Sequence, residues 1–147
     1  MNLSTDEAVL LDASVLVELV TVGRHAGAAD RLLEHLEQNP AVEIVTAAHG
    51  LIEVISALRR LNLAGALDEP SATAACSWLR RLDMRLDPTA PRIEQAWALR
   101  HSMTAYDAAY AAASSGLGLP LVSVDQPLLT ACETAGIPAI HLDQLTW

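Results

Sequence analysis

The sequence predicts an α/β fold in which helices cover both faces of a parallel sheet. Short apolar runs alternate along the chain with longer segments whose apolar residues recur at helical spacing, and this alternation is typical of such a sheet. Hydrophobic residues make up 52% of the 147 residues, enough for one core in a single domain spanning 1–147. Because only 3% are aromatic, alanine and aliphatic side chains must fill that core.

Five strands are predicted from the short apolar runs. The run at 8–11 ends at Asp12, and the run at 121–124 ends at Asp125. Strands that are buried on both faces read as near-continuous apolar stretches, as these two do, with Ser123 the one polar residue of the second. The predicted strands are 8–11, 43–45, 84–86, 121–124 and 139–142.

Seven helices are predicted from helical spacing and from residues that end helices. The pattern is clearest at 47–61, whose apolar stripe consists of Leu51, Val54, Ile55 and Leu58. Gly116 suits the C-terminal cap of an alanine-rich helix. The predicted helices are 14–20, 26–37, 47–61, 71–82, 91–101, 104–115 and 127–135.

The charge balance limits the function. The chain has 9 basic and 18 acidic residues and a net charge of −9, which argues against a protein that coats nucleic acid. A nuclease whose carboxylates are balanced by divalent cations remains compatible. All nine basic residues are arginine, and the lack of lysine excludes a P-loop and Schiff-base chemistry. It also counts against phosphatases and receiver domains that pair a strand-end Asp with a Lys.

We expect a soluble, cytoplasmic protein with no membrane span. Asp6 and Glu7 precede the first apolar run where a signal peptide would carry basic residues. No uncharged apolar stretch approaches the ~18 residues of a membrane helix. Cys76 and Cys132 form no CxxC motif and lie in apolar helical patterns, so we expect buried free thiols.

Asp12 and Asp125 share one context, in which an apolar strand is followed by an aspartate and then by a helix. In a parallel sheet such positions lie at the carboxyl edge, where ligands bind. The alternative is that each aspartate only caps its helix, since Asp is favoured at the N-cap. Two such residues in one small domain make a shared site more plausible.

Two further acids are candidates, with structural alternatives beside them. Asp107 follows Thr104 in a pattern that resembles a capping box, yet it stands on a strongly apolar helix where a charge needs a partner. Glu53 falls opposite the apolar stripe of its helix, so periodicity alone predicts a solvated side chain. His49 and Glu53 are four residues apart, but without a second histidine nearby a zinc site is disfavoured.

Four segments, in order along the whole chain, resemble the motifs of PIN-domain ribonucleases. Each contains one of the four acids, and the length and strand–helix pattern match as well. The size and the third segment look most like VapC toxins of type II toxin–antitoxin modules. The segments are VLLDAS (9–14), HGLIEVISAL (49–58), TAYDAAY (104–110) and LVSVDQPL (121–128).

The resemblance implies a three-layer α/β/α sandwich, a five-stranded parallel sheet in the order 3-2-1-4-5, and one pocket reached by Asp12, Glu53, Asp107 and Asp125. Oxygen ligands favour Mg²⁺ or Mn²⁺ over zinc. We expect the three aspartates to hold metal and Glu53 to be a ligand or to orient water. Ser14, Thr104 and Ser123 are candidate hydrogen-bond donors that support these acids. Arg100 is a candidate contact to the substrate phosphate.

The resemblance also implies endonucleolytic cleavage of tRNA or rRNA that leaves a 5′-phosphate, a cognate VapB-like antitoxin and a homodimer. The chain departs from the family at three places. Ser123 stands where Thr is commoner, residues 47–49 replace a Pro-rich lead, and Pro127 replaces a further acid of many relatives. A fully formed second metal site is therefore not implied. The alternative is a catalytically degenerate PIN domain that binds RNA or protein.

Overall fold

The computed structural model describes residues 8–146 and has a three-layer α/β/α fold around one parallel sheet. The strand order is β3-β2-β1-β4-β5, so the predicted order is confirmed. The strands are β1 Ala8–Leu11, β2 Glu43–Ala47, β3 Met84–Asp87, β4 Leu121–Ser123 and β5 Ala139–His141.

Seven α-helices and two 3-10 turns connect the strands within the described residues. None of these helices has the length and apolar character that crossing a membrane requires. Asp6 and Glu7 lie outside the described residues. The helices are α1 Ala13–Val20, α2 Ala26–Gln38, α3 Gly50–Leu63, α4 Glu69–Arg81, α5 Ile93–Ala98, α6 Ala105–Leu117 and α7 Gln126–Thr134, and the 3-10 turns are Ala90–Arg92 and Leu142–Gln144.

The two central strands of the sheet, β1 and β4, are completely buried. All four residues of β1 and all three of β4 are buried, and the two strands pair in parallel with Leu10 opposite Leu121. Helix α6 is buried along most of its alanine-rich length and contacts both β2 and β4. Small side chains let this helix approach the sheet closely, as the composition predicted.

The start of α3 differs from the prediction. Ala47 belongs to β2, where it pairs with Asp87, and the helix begins at Gly50. A Cβ at position 50 would crowd the Thr46 hydroxyl and the Tyr110 hydroxyl, so glycine is required for this close approach. The predicted apolar stripe is also partly wrong, because Ile55 is 50% exposed.

The segment predicted as one helix at 91–101 is divided. A 3-10 turn at Ala90–Arg92 leads into α5, which ends at Ala98. Beyond it, backbone hydrogen bonds of the tighter i→i−3 type run from Arg100 to Trp97 and from Ser102 to Leu99. The chain therefore leaves the helix one turn early.

Gly116 is not the cap of α6. The cap is Gly118, which adopts the left-handed conformation with φ 67°. Gly116 lies inside the helix, and a Cβ there would overlap the guanidinium of Arg92. That guanidinium donates two hydrogen bonds, of 3.0 and 3.2 Å, to the buried Asp87 carboxylate. Glycine at 116 thus leaves room beside α6 for an ion pair that joins the end of β3 to the 3-10 turn at Ala90–Arg92.

One of the two cysteine predictions is wrong. Cys132 is a buried free thiol on α7, and burial raises its pKa to about 11. Cys76 is also a free thiol, but it is exposed on α4. The apolar face of α4 instead buries Ala75 and Leu79, so Cys76 lies just outside it.

Candidate active site

Asp12 occupies the junction between β1 and α1 and is 3% exposed. Its Oδ1 accepts hydrogen bonds from the Val15 backbone N–H at 3.1 Å and from the Ser14 hydroxyl at 2.6 Å. Its Oδ2 accepts one from the Ser123 hydroxyl of the neighbouring strand β4. The side chain is therefore both the N-cap of α1 and part of a network that crosses to β4.

Two serines connect Asp12 to the loop that carries Asp125. Ser14 Oγ accepts from the backbone N–H of Val124 at 3.1 Å and lies 3.3 Å from Ser123 Oγ. Ser123 Oγ in turn accepts from the Asp125 N–H at 2.9 Å. These contacts hold the carboxyl ends of β1 and β4 together, at the point where the strand order reverses direction.

Asp125 is the exposed member of this group. Its Oδ1 accepts from the Leu128 N–H at 3.2 Å, so it caps α7 as Asp12 caps α1. The capping interpretation is thus correct for both residues, and it does not compete with a shared site. Since the two carboxylates are close enough to repel, Asp125 contributes to the raised pKa of Asp12.

Asp107 lies in the first turn of α6 and is half-buried. Its backbone N–H donates to Thr104 Oγ1 at 3.2 Å, as the capping pattern predicted. Burial raises the pKa of the Asp107 carboxyl, and the negative charge of Asp125 raises it further. The Thr104 hydroxyl and His49 act in the opposite direction on that pKa. The charges of Asp107, on α6, and Asp125, at the start of α7, are therefore close enough to repel each other.

Glu53 reaches the same region through a residue that the sequence analysis did not single out. The Tyr110 hydroxyl donates to Glu53 Oε2 at 2.9 Å and accepts from the Ala13 N–H, next to Asp12, at 3.2 Å. Burial, together with the charges of Glu53 and Asp12, raises the Tyr110 pKa, so the hydroxyl keeps its proton. A tyrosine inside an alanine-rich buried helix needs a partner for its hydroxyl, and that was the available signal.

Helical periodicity misjudged Glu53. Its side chain is 32% exposed, and its Oε1 lies 3.7 Å from Nε2 of His49. The His49 ring packs against the rings of Tyr106 and Tyr110, with centroids 5.5 and 4.9 Å away. Glu53 is thus held by a neighbouring helix, whereas the wheel of its own helix predicted a freely solvated side chain.

The acids at this edge of the sheet carry the type of ligand that a hard divalent cation prefers. Burial raises the pKa of the Asp12 carboxyl from 3.8 to about 6, despite three hydrogen bonds that oppose the shift. Within residues 8–146, no basic side chain forms an ion pair with Asp12, Asp107 or Asp125. A cation would relieve the burial penalty and the mutual repulsion. Carboxylate and hydroxyl oxygens are ligands of Mg²⁺ and Mn²⁺, so the residues present fit such an ion.

A cleft of about 600 Å³ opens beside Ser14 and Glu53. Arg60 lines this cleft, two turns of α3 beyond Glu53. Its guanidinium donates to the Ser56 hydroxyl at 3.3 Å. Arg100 has different neighbours, since its guanidinium donates to the Trp97 carbonyl and lies 4.8 Å from the centroid of the Trp97 ring.

Comparison with known families agrees with this geometry. The family model for the PIN domain matches residues 9–143, which include all four acids. The chain belongs to the PIN-domain family. Ribonuclease VapC1 of Mycobacterium tuberculosis is 38% identical over 128 residues, which cover 86% of this chain and 91% of that protein. This PIN domain is therefore of the VapC type.

Solved structures share the fold. VapC20 of M. tuberculosis, described as a sarcin-ricin loop cleaving toxin, aligns with a TM-score of 0.61 at 24% identity, covering 88% of this PIN domain and 95% of that chain. VapBC2 of Rickettsia felis, solved bound to a promoter DNA fragment, aligns with a TM-score of 0.65 at 12% identity, covering 91% and 98%. At these identities the likeness shows the fold alone.

Proposed function

We propose that this PIN domain is a Mg²⁺- or Mn²⁺-dependent endoribonuclease, the toxin of a type II toxin–antitoxin pair, which cleaves tRNA or rRNA. The main support is Asp12, a buried carboxyl group with its pKa raised to about 6, beside Asp125, which in turn repels Asp107. A residue that only caps a helix gains nothing from having its charge buried, because burying a charge costs free energy. In a cation site the bound ion offsets that cost. The 38% identity to a ribonuclease adds support for the activity.

Each acid has a defined part in the proposal. Asp12, Asp107 and Asp125 hold the cation directly or through water, and Glu53 is a further ligand or orients the attacking water. When bound, the cation supplies positive charge for the scissile phosphate and lowers the pKa of a water molecule. Three hydroxyl groups then support the aspartates, with Asp12 held by Ser14 and Ser123 and Asp107 by Thr104.

Two arginines are proposed to hold RNA phosphates. Arg60 is supported by its place in the cleft beside Glu53. Arg100 is supported by its place on the segment that leads into Thr104, where the cation–π contact with Trp97 leaves it exposed. The rRNA target class is supported only by the description of VapC20.

A VapB-like antitoxin and a second copy of the chain are the proposed partners, acting in the cytoplasm. Large apolar side chains stand open on the rim of the cleft, with Ile52 69% and Tyr106 63% exposed. An antitoxin segment that packs on these residues would cover the acids. A complex with the product of the gene immediately upstream is therefore expected to cleave RNA more slowly than the free chain.

The test is an RNA cleavage assay on the purified chain freed of antitoxin. A panel of tRNAs and rRNA fragments is incubated with Mg²⁺, Mn²⁺ or EDTA, with Asp107→Asn as the inactive control and Asp83→Asn as the matched control. Asp83 is an exposed carboxylate between α4 and β3, outside the site. Arg60→Gln and Arg100→Gln are run in parallel and are expected to weaken cleavage without abolishing it.

Discrete cuts are expected with either metal, none in EDTA and none with Asp107→Asn. Wild-type cleavage by Asp107→Asn would contradict the assigned role of that residue. Metal binding without a cut in any RNA would favour the alternative of a degenerate domain that only binds RNA or protein.

A further inference from the structure

A second group of metal-binding side chains lies outside the four-acid site. His25, His141 and Asp143 each offer one ligand atom, and the three atoms lie within 4.8 Å of one another. His25 precedes α2, His141 ends β5, and Asp143 lies in the final 3-10 turn. None of the four acids belongs to this group.

The backbone holds the three residues in place. The His25 carbonyl accepts from the N–H groups of Ala28 and Ala29, while the His25 N–H donates to Glu18. On the other side, Leu142 is only 1% exposed and anchors the turn that carries Asp143. The group therefore lies between two rigid elements that are far apart in sequence.

The atoms already converge on one point. Nδ1 of His25 lies 2.9 Å from Oδ2 of Asp143, and Nδ1 of His141 lies 3.6 Å from the same oxygen. Two ligands of a tetrahedral zinc ion, each about 2.0 Å from the metal, are roughly 3.3 Å apart. The two observed distances bracket this value, so small side-chain movements would complete the geometry.

The donor set has a different metal preference from the acid site. Two imidazoles and one carboxylate suit Zn²⁺ and related transition metals, whereas oxygen-only ligands suit Mg²⁺. The side chains of His25 and His141 are 18% and 20% exposed, and that of Asp143 is 50% exposed. Water can therefore complete the coordination. The metal would take the place of the proton that His25 donates to Asp143. Nδ1 of His141 would then bind the metal and no longer accept from the Asp143 N–H, and a water molecule would accept from that N–H.

We propose that His25, His141 and Asp143 form a zinc-binding site that joins the start of α2 to the end of the sheet. His141 pairs with Ser123 in the β4–β5 register, and the Ser123 hydroxyl binds Asp12. Zinc at this place would stabilise the strand next to the acid site. The proposal does not depend on the nuclease activity.

The test is calorimetric titration of Zn²⁺ into the tag-free, metal-stripped chain in saturating Mg²⁺, which occupies the acid site. The variants are His25→Gln, Asp143→Asn and, as matched control, His101→Gln, an exposed histidine outside the group. Circular dichroism checks that each variant folds. Co²⁺ absorption in the visible range reports whether the bound metal is four-coordinate, as expected at this site, or six-coordinate, as expected in an oxygen-only site.

One zinc per chain is expected, with His25→Gln and Asp143→Asn weakening binding at least about tenfold and His101→Gln leaving it unchanged. Zinc is also expected to raise the unfolding temperature of the wild-type chain. The proposal is overturned if the wild type binds no zinc, or if Asp107→Asn abolishes binding while His25→Gln does not.

Discussion

The substitution Asp12→Asn should stabilise the metal-free protein at neutral pH. Asparagine is a good N-cap, and its carbonyl oxygen can still accept from Val15 N–H and the Ser14 hydroxyl. Its amide can donate to Ser123 Oγ, whose hydroxyl hydrogen then turns to Ser14 Oγ, 3.3 Å away. The substitution therefore removes the buried charge, while the second amide N–H of the asparagine has no acceptor among these groups and offsets part of the gain.

The magnitude follows from the pKa of Asp12. Burial raises this pKa from 3.8 to about 6, so the folded state binds the proton more tightly than the unfolded state. The free energy of unfolding therefore falls as pH rises from about 3.8 through about 6, and the whole loss, about 3 kcal/mol, is present above that window. Asp12→Asn escapes this loss. For a chain of 147 residues we expect an unfolding temperature that is higher by at most about 12 °C at pH 7.5 in EDTA.

The assay is thermal and urea unfolding in EDTA at a series of pH values. The charge-dependent part of this advantage should shrink to about half by pH 5, to about a fifth by pH 4, and disappear near pH 3. Asp83→Asn, which removes an exposed carboxylate, should show no such pH-dependent gain. A difference in stability between Asp12→Asn and wild type that does not change with pH would show that the buried charge of Asp12 does not destabilise the folded chain.

Two further substitutions test how the site and its scaffold are built. Tyr110→Phe removes the hydroxyl that joins Glu53 to the Ala13 N–H. We therefore expect the free energy of unfolding in urea to fall by about 1–3 kcal/mol and RNA cleavage to be slower. Unchanged stability would show that this bridge is dispensable. Gly116→Ala should destabilise the chain because the new Cβ displaces Arg92 from Asp87. Gly27 is also helical, but a Cβ there would meet only Arg31, at 3.9 Å. Gly27→Ala should therefore stabilise the chain by up to ~1 kcal/mol. Equal effects of the two substitutions would show that Arg92 does not require glycine at 116.

The sheet and two of its acids could be predicted because the relevant signals are local. A buried parallel strand reads as an apolar run, and the carboxyl ends of parallel strands meet at one edge. Asp12 and Asp125 follow such runs, so their proximity could be inferred once the strand order was expected. Thr104 could be predicted as the N-cap of α6 for the same reason, since capping depends on residues three positions apart.

Glu53 could not be placed by its own helix because its partner is remote. Tyr110 lies 57 positions further along the chain, and no periodicity in α3 reports a hydroxyl on α6. Only the resemblance to the family indicated that Glu53 reaches the pocket. The group formed by His25 and Asp143 was missed for the same reason, since those residues are 118 positions apart. Gly116 was misassigned because the sequence does not show whether a glycine near the end of a helix caps it or lies inside it. The reason for glycine at 116 is its contact with Arg92, which is 24 positions away in sequence and visible only in the structure.

Anomalous diffraction from crystals soaked in Mn²⁺ would show whether Asp12, Asp107 and Asp125 hold one divalent cation. We expect an anomalous peak within ligand distance of at least two of these carboxylates, and its loss in Asp107→Asn crystals soaked in the same way. A Mn²⁺ peak elsewhere, with these three carboxylates bound only to protein groups and water, would contradict this expectation.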